Sequence, residues 1–419
     1  MNRRAFVTGM LIDAVGTGLY MPFSLLFFHS VSGLSLTAVG AGLTAAGFAA
    51  LALSPLAGSL IDRLGARRVL LASFVLRALA FACYPLAHSF PLFLLVTAAT
   101  ALGQQASAPA TPAFISEIAA GADRDRLLAL NRSVRNGGMG VGGVLAGGLL
   151  LLDGDLGYLA IALLNAASFA VAIPLILRAS PGYRAALSRA ASEASPARAT
   201  ASGGDATGYR AVFADRPYLA LTATNFLLAF SYVALALAMP VYLHQALGLP
   251  EALAGTVFAV NTVLVAALGV PVSRLALRAR RTRAAALGGV AFAASFAAFA
   301  LLPFLPTGPT MIGAVLVVAT LYTGAELLHS TPAQGLSVHA APDHLRGRYL
   351  SAYQLSWAIA QSVAPVLITF LLGLGDWQIW VGLGGAALLG AGLLVRLERR
   401  LPGAAVHPVE VRRPVPVAA

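Results

Sequence analysis

Three ionisable residues stand in otherwise apolar surroundings: Asp13, Arg77 and Glu326. A charged side chain in hydrocarbon costs about 2.5–3.5 kcal/mol on insertion scales, so such a residue faces a cavity and has a role there. A carboxylate taken out of water holds its proton more tightly, which suits loading and release near neutral pH. Asp13 and Glu326 are therefore candidate proton carriers. Arg77 is a candidate intramembrane charge partner, because arginine keeps its proton. Two other readings stay open: Asp13 as a helix-terminal acid or a structural pair with Arg77, and Glu326 as a hydrogen-bond partner of a neighbouring helix. His329 lies one turn from Glu326 on the same helix face. There it either tunes that acid or is satisfied by a backbone carbonyl. Glu326-x-x-His329 is no metal site by itself, since no second acid or histidine has matching spacing. Cys83 is the single cysteine, which excludes an internal disulfide and a cysteine metal cluster. The sequence holds no nucleophile–base pair and no phosphate-binding loop, so it reads as neither an enzyme nor an ATP-driven pump.

The chain that must position these residues is 58% hydrophobic and only 11% charged over 419 residues. Its mean hydropathy is +0.81. So little polar surface makes the bilayer the solvent, and a spanning helix needs roughly 20 apolar residues. Twelve spans fit, near 5–28, 36–60, 68–87, 90–119, 131–152, 156–178, 217–244, 251–276, 283–305, 309–337, 346–374 and 376–398. The net charge of +12 does not point to nucleic acid, because of where it lies. Every basic residue is arginine, and the arginines cluster in alternate connections, with Arg77 alone deep inside a span. The opposite connections carry only acids: Asp153, Asp155, Glu251 and Asp376. By the positive-inside rule both termini are cytoplasmic. The first apolar run lacks a cleavage site and reads as a retained helix.

Residues 179–216 form the one long connection, rich in Pro, Ser and Gly, and read as a mobile linker. It separates 1–178 from 217–398, and a tail over 399–419 reads as disordered. The two halves repeat. Thr111-Pro112-Ala113, Asp123 and Arg126 recur 220 residues later as Thr331-Pro332-Ala333, Asp343 and Arg346. The expected fold is an all-α membrane protein of two pseudo-symmetric six-helix bundles. Glu326 has Ala106 as its repeat counterpart, so the acid belongs to one half only. In span 5, Gly138, Gly142, Gly143, Gly147 and Gly148 form a flat face for close helix packing. Tyr20, Phe23, Phe27, Asn225, Phe230, Tyr232, Tyr322, Tyr353, Gln354 and Trp357 are candidates to line a cavity. Aromatics with few fixed polar groups suit bulky amphipathic or cationic solutes.

Between spans 2 and 3 stands Gly58-Ser-Leu-Ile-Asp62-Arg63-Leu-Gly65-Ala-Arg67-Arg68. Such a charge cluster belongs at a membrane surface, with Gly58 allowing close helix approach and Gly65 a turn closed to other residues. Asp62 is placed to cap a helix end or pair with an arginine, and Glu117 to pair with Arg63 or Arg67 as part of a gate. The spacing GxxxDRxGxRR closely resembles the signature of the major facilitator superfamily, with Ala66 where that family has a basic residue. The glycines of span 5 resemble the GPxxGG motif of the family's proton-driven exporters, with Val144 in place of proline. Gly324-Ala-Glu326 through Pro332 is similar to a helix-10 stretch of proton-coupled facilitators. The resemblance implies a central cavity faced by spans 1 and 10, and a multi-pass, monomeric plasma- or inner-membrane protein. It would use a proton gradient and no cofactor to export hydrophobic or drug-like small molecules. The alternatives are a facilitator or symporter of a small metabolite and a non-transporting sensor.

Overall fold

The structure, a computed structural model, describes residues 3–119, 121–152, 156–179, 206–276 and 278–407. It is helical from end to end of the described residues. The helices are α1 (Arg3–Tyr20), α2 (Ser24–Ser32), α3 (Leu36–Ala52), α4 (Ser54–Leu64), α5 (Ala66–Cys83), α6 (Phe90–Ile118), α7 (Gly121–Leu149) and α8 (Leu156–Ala179). There follow α9 (Ala206–Ala214), α10 (Arg216–Val241), α11 (Ala252–Ala276), α12 (Arg281–Leu301), α13 (Pro309–Ala340), α14 (Arg346–Leu374), α15 (Gln378–Leu397) and α16 (Gly403–Val406). Each of the twelve expected spans falls on one long helix or one broken pair. Eight are long and apolar enough to cross a membrane, and up to 10 if each bent pair is one span. The remaining two long helices are the polar ones: α6 carries Gln104 and Gln105, and α7 carries Asp123, Arg124, Arg126, Arg132 and Arg135.

The breaks follow proline chemistry. A proline lacks the N–H that continues the ladder and crowds the preceding turn. α1 and α2 meet at a short 3-10 turn over Met21–Phe23 and bend by 66°, while the α3–α4 pair bends by 52° beside Pro55. Pro240 near the end of α10 is followed by a π-helical turn, Tyr242–Ala246. α4 ends at Gly65, which adopts φ +83° and donates its N–H to Ile61 O at 2.8 Å. A side chain is strained at that backbone conformation, whereas Gly58 sits in a helix with open space around it. Gly65→Ala should therefore cost roughly 1–3 kcal/mol, while Gly58→Ala should be neutral or better by helix propensity. Thermal unfolding of both variants in one detergent checks this, and equal midpoints would contradict it.

Two compact units emerge. The first joins Met1–Gly204 with Tyr232–Val263 and Ala358–Ile379; the second joins Asp205–Ser231, Leu264–Trp357 and Trp380–Ala419. In the first, small residues let helix backbones meet. A Cβ on Gly147 would lie 3.0 Å from Ala252 O, and one on Gly40 2.7 Å from Pro365 O. Thr44 Oγ1 accepts the Val366 N–H at 3.1 Å. These contacts lie at the helix ends remote from the arginine-bearing loops.

The second unit closes around α12. Its Arg281, 6% exposed, donates to the carbonyls of Ala404 and Ala405 at 2.9 Å each and of His407 at 3.2 Å. The chain after residue 399 is thus docked as far as His407, rather than trailing free; residues 408–419 lie outside the described residues. Of the long connection over 179–216, residues 206–214 are helical and 180–205 lie outside the described residues. The arginine loop before α12 has no aspartate of its own. Glu398 supplies the acid from the end of α15, accepting from Arg280 at 2.5 Å, Thr282 at 2.8 Å and Arg283 at 3.2 Å. The Thr282 hydrogen bond above all, with the arginines, holds its carboxyl down at about 2.

Candidate functional site

Asp13 and Thr17 lie one turn apart on α1 and present both side chains to one guanidinium. Arg77 on α5 reaches Asp13 Oδ1 with Nη1 at 3.4 Å and Thr17 Oγ1 with Nη2 at 3.3 Å. Its long side chain fits because Gly103 on α6 is bare; a Cβ there would lie 2.6 Å from Arg77 Cγ. Phe169 on α8 covers the guanidinium, with Cζ 3.9 Å from the ring centroid. A cation over an aromatic face gains up to about 2 kcal/mol when desolvated. The side chain of Arg77 is 5% exposed and that of Asp13 21%. Of the readings open for Asp13, the geometry brings it together with Arg77.

Beside this pair lies a cavity of about 400 Å³, lined by α1, α3, α5, α6 and α7 and by Gln361 on α14. Tyr20 lines it, as expected for a cavity residue, together with Arg77, Thr17, Gln104, Arg135 and Met139. Tyr84 lines it too and donates its hydroxyl to Thr100 Oγ1 at 2.9 Å. Neither Thr17 nor Arg135 was among the expected cavity residues, although Arg135-Asn136-Gly137 stands just before the span-5 glycines and resembles the exporter group. The signal for Arg135 was its spacing: with Gly138 and Gly142 it forms an i, i+3, i+7 row on α7. A Cβ on Gly138 would lie 2.6 Å from Ala14 Cβ, and one on Gly142 2.1 Å from Val15 O. That row therefore faces α1, which carries Asp13. The neighbouring row serves α11: Gly143 meets Phe258 and Gly147 meets Gly255. Gly148 has nothing within 4 Å and packs on neither helix.

Phe23 and Phe27 are 1% and 0% exposed and are core, not cavity wall. Phe27 packs with Tyr20, Phe28 and Tyr84 in one aromatic cluster. In the second unit, Tyr322 is likewise core: it is 1% exposed, donates to Ser231 O at 2.7 Å and packs on Phe292. Phe230 is buried against Phe226. Asn225 donates to Ser356 Oγ at 2.9 Å, which joins α10 to α14 near Tyr353. Tyr232, Tyr353 and Trp357 are half-buried and Gln354 is exposed. Glu326 is half-buried on α13 and does not line the described cavity. His329, 4% exposed, packs against Phe292 and sits over Gly288, where a Cβ would come 2.7 Å from its own.

At the loop between α4 and α5, Asp62 and Arg63 are exposed, and Asp62 makes no ion pair among the described residues. Glu117 accepts the N–H of Ala66 at 3.0 Å rather than pairing with Arg63 or Arg67. Ala66 opens α5 and is fully buried, so the carboxylate sits at the positive end of that helix. Arg67 donates to Leu177 O at 3.4 Å, tying α5 to the end of α8.

Removing the acid from the Asp13–Arg77 pair leaves a buried cation short of a partner. Asp13→Asn should lower stability by roughly 1–3 kcal/mol. Combining Asp13→Asn with Arg77→Gln should recover part of that loss. Additive losses in a thermal double-mutant cycle would show that the two side chains are not coupled.

These features define a polytopic helical membrane protein with an internal, ion-paired cavity. The sequence profile of the Major Facilitator Superfamily matches residues 6–365, and the chain belongs to that family of membrane transporters. A relative named multidrug resistance protein MdtH, from Aeromonas hydrophila subsp. hydrophila, is 26% identical over 405 residues, covering 94% of this chain and 95% of its own. The nucleoside transporter NupG shares the fold with a TM-score of 0.74 at 13% identity, covering 95% of this chain and 99% of its own. The xylose transporter XylE from E. coli does so with 0.67 at 15%, covering 94% and 95%. The chain is thus a multi-pass membrane transporter and not an enzyme.

Proposed function

We propose that this transporter is a proton-coupled exporter of hydrophobic or drug-like small molecules, working by alternating access with both termini in the cytoplasm. The observation that carries the reading is the cavity, which sets a part-buried, loosely held ion pair beside aromatic walls. The likeness to a multidrug resistance protein over nearly the full chain supports it. Glycine-mediated contact of α7 with α1 and α11 supplies surfaces on which helices slide with little side-chain interlock. Glu326 is the coupling acid, with Asp13 the second, and the ion gradient is the energy source. The test is a substrate screen on proteoliposomes with an imposed pH gradient. Gradient-dependent movement of lipophilic dyes or drugs fits; transport indifferent to the gradient would contradict proton coupling. A second reading, uptake of a small polar metabolite, is favoured by Gln104, Gln361 and the two arginines at the cavity wall.

A further inference from the structure

The wall of the first unit's cavity holds more positive than negative charge. Arg77 is 4% exposed, and its Nε is buried with no hydrogen-bond partner. Its terminal nitrogens stand 3.4 and 3.3 Å from Asp13 and Thr17, beyond the 2.7–2.9 Å of a tight charge-assisted bond. Arg135 lines the same cavity and makes no ion pair among the described residues. Asp13 balances one of these cations and leaves the other over. Arg77 is a buried cation short of acceptors, and Arg135 is exposed at the cavity wall, where its guanidinium is open to an incoming anion. The remaining wall offers amide donors from Gln104 and Gln361, and apolar area from Tyr20, Phe81 and Met139.

We infer that this cavity binds an organic anion: a carboxylate carried on an aromatic or branched apolar body. The carboxylate is met by Arg135 and by the unsatisfied side of Arg77, and the body lies against the aromatic wall. A cationic solute fits poorly, because Arg77 already occupies Asp13 and Arg135 would repel it. A neutral analogue keeps the apolar contacts and loses the charge-assisted bonds, a difference of roughly 10- to 100-fold in affinity. This names the solute class for the transport reading and rests on that reading only for the claim that a bound solute is moved.

The test is equilibrium binding of radiolabelled 1-naphthoate to the full chain in nanodiscs of neutral phosphatidylcholine, with no gradient. Competitors are 1-naphthamide and 1-naphthylmethylammonium, which keep the ring and change the charge. Saturable naphthoate binding is expected, with the amide at least 10-fold weaker and the ammonium without effect. Arg135→Gln, a change at an exposed position, should weaken naphthoate at least 10-fold and leave the amide unchanged. Absence of saturable naphthoate binding, an amide or ammonium that competes equally, or an unchanged Arg135→Gln would each overturn the inference. Failed transport with intact naphthoate binding would count against the exporter reading and leave this one standing.

Discussion

Gly142→Ala is expected to break the packing of α7 on α1. The added Cβ would lie 2.1 Å from Val15 O and 2.8 Å from Gly18 Cα. Both are backbone atoms, so no rotamer change relieves the clash; a whole helix must move. Overpacking costs about 1–3 kcal/mol when side chains and backbone give a little, and this position belongs at or above that ceiling. The same row of α7 carries Arg135, so a displaced helix also moves a cavity wall. Gly148→Ala is the matched control, with nothing within 4 Å of its Cβ. Monodispersity and thermal midpoint in detergent check the pair. Gly142→Ala should lose most of its folded protein while Gly148→Ala keeps it, and similar behaviour of the two would mean this row is not a packing surface.

The helical frame was legible because the bilayer demands long apolar runs and prolines mark where they bend. Four of the five stripe glycines of α7 meet a partner helix, in two rows rather than on one flat face: Gly138 and Gly142 on α1, Gly143 and Gly147 on α11, a spacing of four keeping each row together. Gly148 does not, because the step from Gly147 turns it off that row. Gly58 is a contact glycine by its motif, yet a Cβ there has nothing within 4 Å among the described residues; composition does not say whether a neighbour is there. Phe23, Phe27 and Tyr322 illustrate the same limit from the other side. An aromatic suits a cavity wall or a core equally, and only packing decides. Glu117 on the Ala66 N–H, Glu398 on Arg280, Thr282 and Arg283, and Arg281 on the Ala404 and Ala405 carbonyls join positions 51 to 124 residues apart. No local spacing carries that information.

Glu326→Gln should abolish accumulation against a gradient and leave downhill exchange intact. Proton coupling needs an acid that is protonated when open to one side and deprotonated when open to the other. Arginine never releases its proton, which removes Arg77 and Arg135 from that role. Asp13 is held beside Arg77, so its proton is tied to breaking an ion pair. Glu326 is half-buried in a long apolar helix, and we propose it as the carrier. Glutamine keeps the shape and the hydrogen-bonding capacity but cannot cycle a proton. Each proton that no longer crosses removes about 2.3 kcal/mol of bias per 100 mV.

The most direct measurement is paired uptake of one transported solute into inside-out proteoliposomes, with and without an imposed pH gradient, for the wild type and Glu326→Gln. The wild type should concentrate the solute only with the gradient, and the variant should equilibrate it without concentrating it in either condition. Gradient-driven concentration by Glu326→Gln at the wild-type rate would make Glu326 structural and contradict proton-coupled export through this acid.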